Sequence, residues 1–310
     1  EGDDWAEGID RSETLVTEIP DDGKAIIEKI RLGGVVGLGG ATFPTHVKLT
    51  PPPGKKCEML IINGCECEPY LTSDFRTLLE KGEQVVVGTA LIKQALGVAS
   101  ATIAIEDNKP EAVRTMTEAA KGESNIEVVA LKTKYPQGGE RQLIYATTGR
   151  AINSAMLPAD AGCVVDNVAT MVSVYQAVVE GKPSIERIVT VSGDAISEPG
   201  NFRAPFGMNQ MELVEQAGGF KEEPEKVISG GPMMGFALYD LHVPCTKTSS
   251  AFLFMEHDAV SESQAIQTAC INCGRCVGVC PGHVLPARLA TLAERGDMAG
   301  FEALDGMECC

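Results

Sequence analysis

Short apolar runs alternate with amphipathic helical stretches through the first half of this chain, and that alternation limits its fold more than any other feature. Residues 60–62, 101–106 and 126–131 read as strands, and residues 21–32, 83–96 and 110–121 as helices, with Pro110 at a first-turn position that needs no N–H. The pattern predicts α/β class, a parallel sheet covered by helices whose ligands gather at the carboxyl ends of the strands. Residues 166–180 read as a further helix closed by Gly181 and Pro183. The texture changes at Ile185. Strand-like 188–192 and 226–229 and a short helix over 209–216, punctuated by glycines, fit a small α+β domain. Helices are expected from Ser261 and over 285–295, and the acidic residues 1–10 read as a linker.

Three loops carry candidate chemistry. In GGVVGLGGATFPTHVKL, Gly37, Gly39 and Gly40 permit a backbone to approach a flat cofactor or a phosphate, although the stretch is not a GxGxxG fingerprint and a tight structural turn is the competing reading. NGCECEPY follows the first strand. There Asn63 suits a flavin ring edge, and Glu66 and Glu68 suit nucleotide hydroxyl or carboxamide donors; a solvated acidic loop is the alternative, and Cys65 and Cys67 lack the partners of a metal site. KYPQGGERQL offers Lys134, Gly138 and Gly139 to phosphate, with Glu140 either orienting a ribose or starting a helix. Asn167 and Thr170 stand in the first turn of the next helix, as phosphate donors or as cap and packing residues. His46, without a visible nucleophile or metal spacing, reads as structural or as a support behind residues that touch a ligand.

CINCGRCVGVCP sets Cys270, Cys273, Cys276 and Cys280 in a CxxCxxCxxxCP register. Three closely spaced thiolates can wrap one [4Fe-4S] cluster, and a fourth before proline serves a second cluster in two-cluster ferredoxin segments. A four-thiolate zinc site is the competing reading. A second full run is missing, and Cys309 and Cys310 alone follow. Eleven cysteines so arranged point to thiolate ligation in a reducing compartment rather than to a disulfide framework, while Cys57, Cys163 and Cys245 stand isolated. The formal charge of -17, with no basic stripe, argues against a nucleic-acid partner. No run of about 20 apolar residues is present.

Taken together, GLGGATFPTHVKL, NGCECEPY, KYPQGGERQLI and VVDNVAT resemble the C subunit of the Rnf electron-transport complex, with a core similar to the NADH-binding, flavin-bearing subunit of respiratory complex I. The resemblance implies a Rossmann-like FMN/NADH-binding domain over 21–184 after an acidic linker over 1–20. It further implies a β-grasp, SLBB-like domain over 185–254 and a partial helical, ferredoxin-like iron-sulfur tail over 255–310. It places Gly37, Gly39, Gly40, Asn63 and Asn167 near FMN, with Glu66, Glu68 and Glu140 on the nucleotide side. Noncovalent FMN, NAD(H) and one or two [4Fe-4S] clusters are the implied cofactors. The implied partners are other Rnf subunits, a ferredoxin-like B subunit among them, and ferredoxin indirectly. The implied location is the cytoplasmic face of the membrane, held peripherally. The implied activity is ion-translocating ferredoxin:NAD+ oxidoreduction. The family's amino-terminal barrel-sandwich region is not seen before Glu1, so a fragment is expected, and Gly306 stands where the second cluster motif would begin with cysteine. An electron-transfer scaffold without flavin chemistry, or an adaptor for another oxidoreductase, are the rival readings.

Overall fold

The computed structural model describes residues 17–153, 155–264, 266 and 268–308. Most of the linker expected over 1–20, and both Cys309 and Cys310, lie outside them. The chain divides into two compact units, Glu1–His257 and Asp258–Cys310.

The first unit begins with α1 (Gly23–Leu32), capped by Asp22, whose carboxylate accepts from the Ala25 N–H at 3.2 Å, and the short helix α2 (Thr45–Lys48). Then come β1 (Met59–Gly64), α3 (Ser73–Glu80), α4 (Gly82–Leu96), β2 (Ser100–Glu106), α5 (Pro110–Ala119), β3 (Ile126–Leu131), α6 (Glu140–Thr148), β4 (Cys163–Asn167) and α7 (Val168–Tyr175). The four strands form one all-parallel sheet in the order β3-β2-β1-β4. Because side chains alternate across a strand, the sheet feeds two cores. Leu60, Ile62, Ile103, Ile105 and Val164 pack with residues of α1, α4, α5 and α7, whereas Ile61, Ala104, Cys163 and Val165 pack with Leu143 and Ile144 of α6. Helices α4 and α7 pass so closely that a Cβ at Gly88 would overlap the Met171 carbonyl oxygen.

The expected helix over 166–180 is corrected at its start. Asp166 and Asn167 end a fully buried strand, and the helix begins at Val168 and closes through a π turn, Gln176–Glu180. The run CVVDN is apolar enough to be buried on both faces, and such a run has no helical period to separate it from the helix it feeds. The strand order has a physical consequence. The chain goes outward from β1 to β2 and β3, then returns to the other side of β1, so β1 and β4 flank a topological switch point, where open sheets bind ligands.

A second, five-stranded sheet in the same unit runs β6-β5-β9-β7-β8, from β5 (Glu186–Ser192), β6 (Gly200–Pro205), β7 (Lys226–Ser229), β8 (Phe236–Leu238) and β9 (Ala251–Met255), with α8 (Gln210–Gln216) beside it. Its core joins Val189, Val191, Leu213, Val214, Phe252 and Phe254. Asn209 and Glu212 form a reciprocal cap on α8, satisfying N–H groups that would otherwise be orphaned.

The second unit contains α9 (Ala259–Gln264), α10 (Arg275–Val279), α11 (Pro286–Glu294) and α12 (Met298–Ala303). Among its described residues the buried apolar side chains are Val284, Leu289 and Leu292. No helix of the described residues is long and apolar enough to cross a membrane.

Candidate functional site

Asn63 and Asn167 are register partners on adjacent strands, at the carboxyl ends of β1 and β4 and so on the two sides of the switch point. Asn63 donates from Nδ2 to the Gly138 carbonyl at 2.8 Å and accepts the Cys65 N–H at 3.1 Å, which ties the loop after β1 to the loop before α6. Asn167 caps α7, accepting from the Ala169 N–H at 2.8 Å, and donates to Asp74 Oδ2 at 2.7 Å. The glycine loop meets this helix start. Leu38 N–H donates to Thr170 Oγ1 at 2.9 Å, and a Cβ at Gly39 would stand 2.8 Å from the Asn167 Cβ, so that position admits no larger residue without displacement. Gly40 is exposed, with no heavy atom within 4 Å of where its Cβ would be, and Gly37 is fixed by its N–H bond to Phe43 O at 2.9 Å.

Glu66 turns inward. With φ 45, it accepts the Asp74 and Phe75 N–H groups at 2.7 and 3.0 Å, serving the orphan donors of α3. Burial, then the Asp74 charge, pushes its carboxyl up to about 8, against the pull of those N–H groups and of Lys109. Burial also raises Asp74, opposed by the Asn167 hydrogen bond and by the Arg187 and Lys109 charges. Glu68 accepts from the Met233 and Met234 N–H groups of the second sheet's β7–β8 loop, at 3.1 and 2.7 Å.

The loop before α6 is organised by buried Glu106, the last residue of β2. Its Oε1 accepts the Lys134 N–H at 3.2 Å, while its Oε2 lies 3.4 Å from Lys109 Nζ, which also donates to Cys65 O at 2.7 Å. The Lys134 side chain is exposed, and Gly139 occupies the N-cap position of α6. Glu140 opens that helix with its carboxylate 3.8 Å from Lys48 Nζ. Lys48 in turn donates to Val165 O at 2.8 Å, beside buried Asp166, whose carboxyl is raised by burial and held down by Lys48.

The structure thus brings together Gly39, Asn63, Gly138, Asn167 and Thr170, and engages Glu66 and Glu68 with backbone donors of the protein itself. Sequence reasoning missed Asp74, Glu106, Lys109 and Arg187. Arg187 carried a signal, being the one cation of strand β5, directly before the apolar pair Ile188 and Val189. It is buried and donates to Leu38 O at 3.0 Å and to Lys247 O at 2.5 Å, while Lys247 Nζ donates to Gly34 O. A cavity of about 180 Å³ lined by Arg76, Thr77, Glu80, Lys81, Ile188 and Asn201 includes none of the candidate residues.

An FMN fits this arrangement. Buried polar atoms lacking a protein partner include Thr45 Oγ1, Gln137 Oε1 and Asp166 Oδ2, which sit on the three segments converging at the switch point. In the second unit, Cys270 and Cys273 are exposed and Cys276 and Cys280 half-buried, all as free thiols. Asn272, at φ 56, turns the chain so that its N–H donates to Cys270 Sγ at 3.4 Å, a donor suited to a thiolate, and the helix carrying Cys276 starts immediately afterwards. Four free thiols within residues 270–280 offer the donor chemistry that a cluster takes.

Residues 30–176 match the Nuo51 FMN-binding domain and residues 188–237 the SLBB domain. The fold recurs in the crystal structure of an NAD+-reducing [NiFe]-hydrogenase in the H2-reduced state, with a TM-score of 0.66, 23% identity, and coverage of 76% of this chain and 48% of that one. Fold and site therefore define a Nuo51-type FMN-binding domain joined to an SLBB domain. The chain is 47% identical to the C subunit of the proton-translocating ferredoxin:NAD(+) oxidoreductase complex of Clostridium ljungdahlii, covering 94% of this chain and 63% of that one. It is 43% identical to the C subunit of the Na(+)-translocating complex of Acetobacterium woodii, covering 93% and 64%. Over nearly all of its length the chain is thus similar to C subunits of ion-translocating ferredoxin:NAD(+) oxidoreductase complexes. It spans a little under two thirds of the length of those two relatives.

Proposed function

We propose that this chain exchanges electrons between NAD(H) and iron-sulfur centres through a noncovalent FMN, as a peripheral subunit of an ion-translocating ferredoxin:NAD+ oxidoreductase on the cytoplasmic face of a membrane. The observation that carries the reading is the pairing of Asn63 and Asn167 at the switch point, with the glycine loop packed on the start of α7. Gly37, Gly39, Gly40, Asn63, Asn167 and Thr170 would hold FMN, the amides at the start of α7 suiting its phosphate. Glu66, Glu68, Lys134, Gly138, Gly139 and Glu140 border the side from which the dinucleotide enters. Bound FMN supplies the conversion between a hydride's electron pair and single electrons. The protein's part is orientation: Asp74 fixes the Asn167 amide, Lys109 and Glu106 fix the two loops, and no side chain need act as acid or base on the substrate. Cys270, Cys273 and Cys276 would hold a [4Fe-4S] cluster, with Cys280 completing it or reaching a second one. Ferredoxin-like and membrane-embedded subunits of the complex would receive or deliver the electrons.

Anaerobic reconstitution with FMN, iron and sulfide, followed by NADH titration, tests this directly. Flavin absorbance should bleach with NADH, followed by cluster absorbance. A folded, FMN-replete protein that NADH leaves oxidised would overturn the proposal.

A further inference from the structure

Glu68 does something in this structure that its place in an acidic loop does not foretell. Both carboxylate oxygens are taken by backbone donors of the SLBB domain, the Met233 N–H on one and the Met234 N–H on the other. The loop that offers them, GGPMMG, is shaped for the purpose. A Cβ at Gly231 would overlap Glu68 Oε2, and the loop closes on itself through a Gly235 N–H bond to Gly231 O at 2.8 Å. A hairpin docked merely to bury apolar surface would sink its large side chains. Here the anchor is polar and the backbone makes it, while Met233 and Met234 stay 55% and 69% exposed. Thioethers are adaptable and make favourable contacts with aromatic rings.

We infer that loop 230–235 of the SLBB domain is the dinucleotide-side wall of the cofactor crevice. Glu68 is the positioning residue that holds it there, and Met233 and Met234 are its contacts for a flat heteroaromatic ring. This rests on the NAD(H) reading above and changes one part of it: Glu68 acts through the loop rather than by touching the nucleotide.

The test uses the full-length protein reconstituted with FMN. Met233→Ala with Met234→Ala should raise KM for NADH about tenfold, with kcat and FMN content unchanged. Glu68→Ala should raise KM to the same extent, the triple variant should show no further rise, and Glu68→Gln, which keeps an acceptor, should fall between. Hydrogen exchange at the Met233 and Met234 amides should quicken at least about tenfold in Glu68→Ala. An unmoved KM in the methionine variant overturns the wall, and effects of Glu68→Ala and the methionine variant that multiply overturn the positioning role. Unchanged exchange at the two amides overturns the anchor even where NADH reduction is intact. A wild-type protein that does not oxidise NADH overturns the proposed function and the wall together, and the exchange measurement still judges the anchor.

Discussion

Glu66 keeps its carboxylate against the start of α3 although burial and Asp74 both oppose its ionisation. A carboxyl raised in the folded state binds its proton more tightly there than in the unfolded chain. Its contribution to stability is therefore complete below its ordinary value of 4.5 and is lost as pH rises toward about 8. Glu66→Gln should flatten that decline, as read by urea midpoints between pH 4.5 and 8; an unchanged slope would count against it. Asn167→Ala removes the α7 cap and the partner of Asp74, which should lower stability by about 1 kcal/mol and reduce FMN retention. The sequence shows these residues as carboxylates and amides beside glycines, and that was enough to single out their loops. It does not show which neighbours they meet. Glu66 and Glu68 look alike in ECEP, yet one caps a helix and the other grips a loop more than 160 positions away, a difference that only the three-dimensional path of the chain creates.

At the level of elements, helix packing leaves little slack. Gly88→Ala would drive a methyl group into the backbone of α7, and overpacking of this kind should cost about 1–3 kcal/mol, seen as a lower Tm with an unchanged m-value. Arg187→Met would strip the donors from Leu38 O and Lys247 O and leave Lys109 as the remaining cation near Asp74, a loss of about 2–4 kcal/mol. Strands β1, β2 and β3 were legible because short apolar runs alternated with amphipathic helices. Strand β4 was not, because CVVDN runs straight into the apolar start of α7. Nor was α3: SDFRTLLE has a helical face, but it follows a polar turn that drew attention to its own side chains. Strands β6 and β8 are short edge strands with mixed exposure, so their sequences carry little alternation to read.

On the scale of the whole molecule, the two compact units differ in what sustains them. The first has extensive cores on both faces of the parallel sheet and within the SLBB sheet, whereas the described part of the second buries little beyond Val284, Leu289 and Leu292. Where a small domain lacks a core, metal binding becomes folding free energy. With the proposed cluster at Cys270, Cys273 and Cys276, anaerobic iron chelation should therefore expose residues 258–308 to protease while the Tm of the first unit stays in place, and Cys273→Ser should reproduce that cleavage pattern. Within the first unit, the two sheets are laced together: Lys247 and Arg187 secure the glycine loop, Thr72 donates to Thr190 Oγ1 at 3.2 Å, and Glu68 grips the β7–β8 loop. A shortened gene ending at Pro183 would leave each of these grips empty-handed. The Nuo51-type part and its SLBB companion must then be inherited as one piece, and any lineage that sheds the companion has to invent new supports for the same loops.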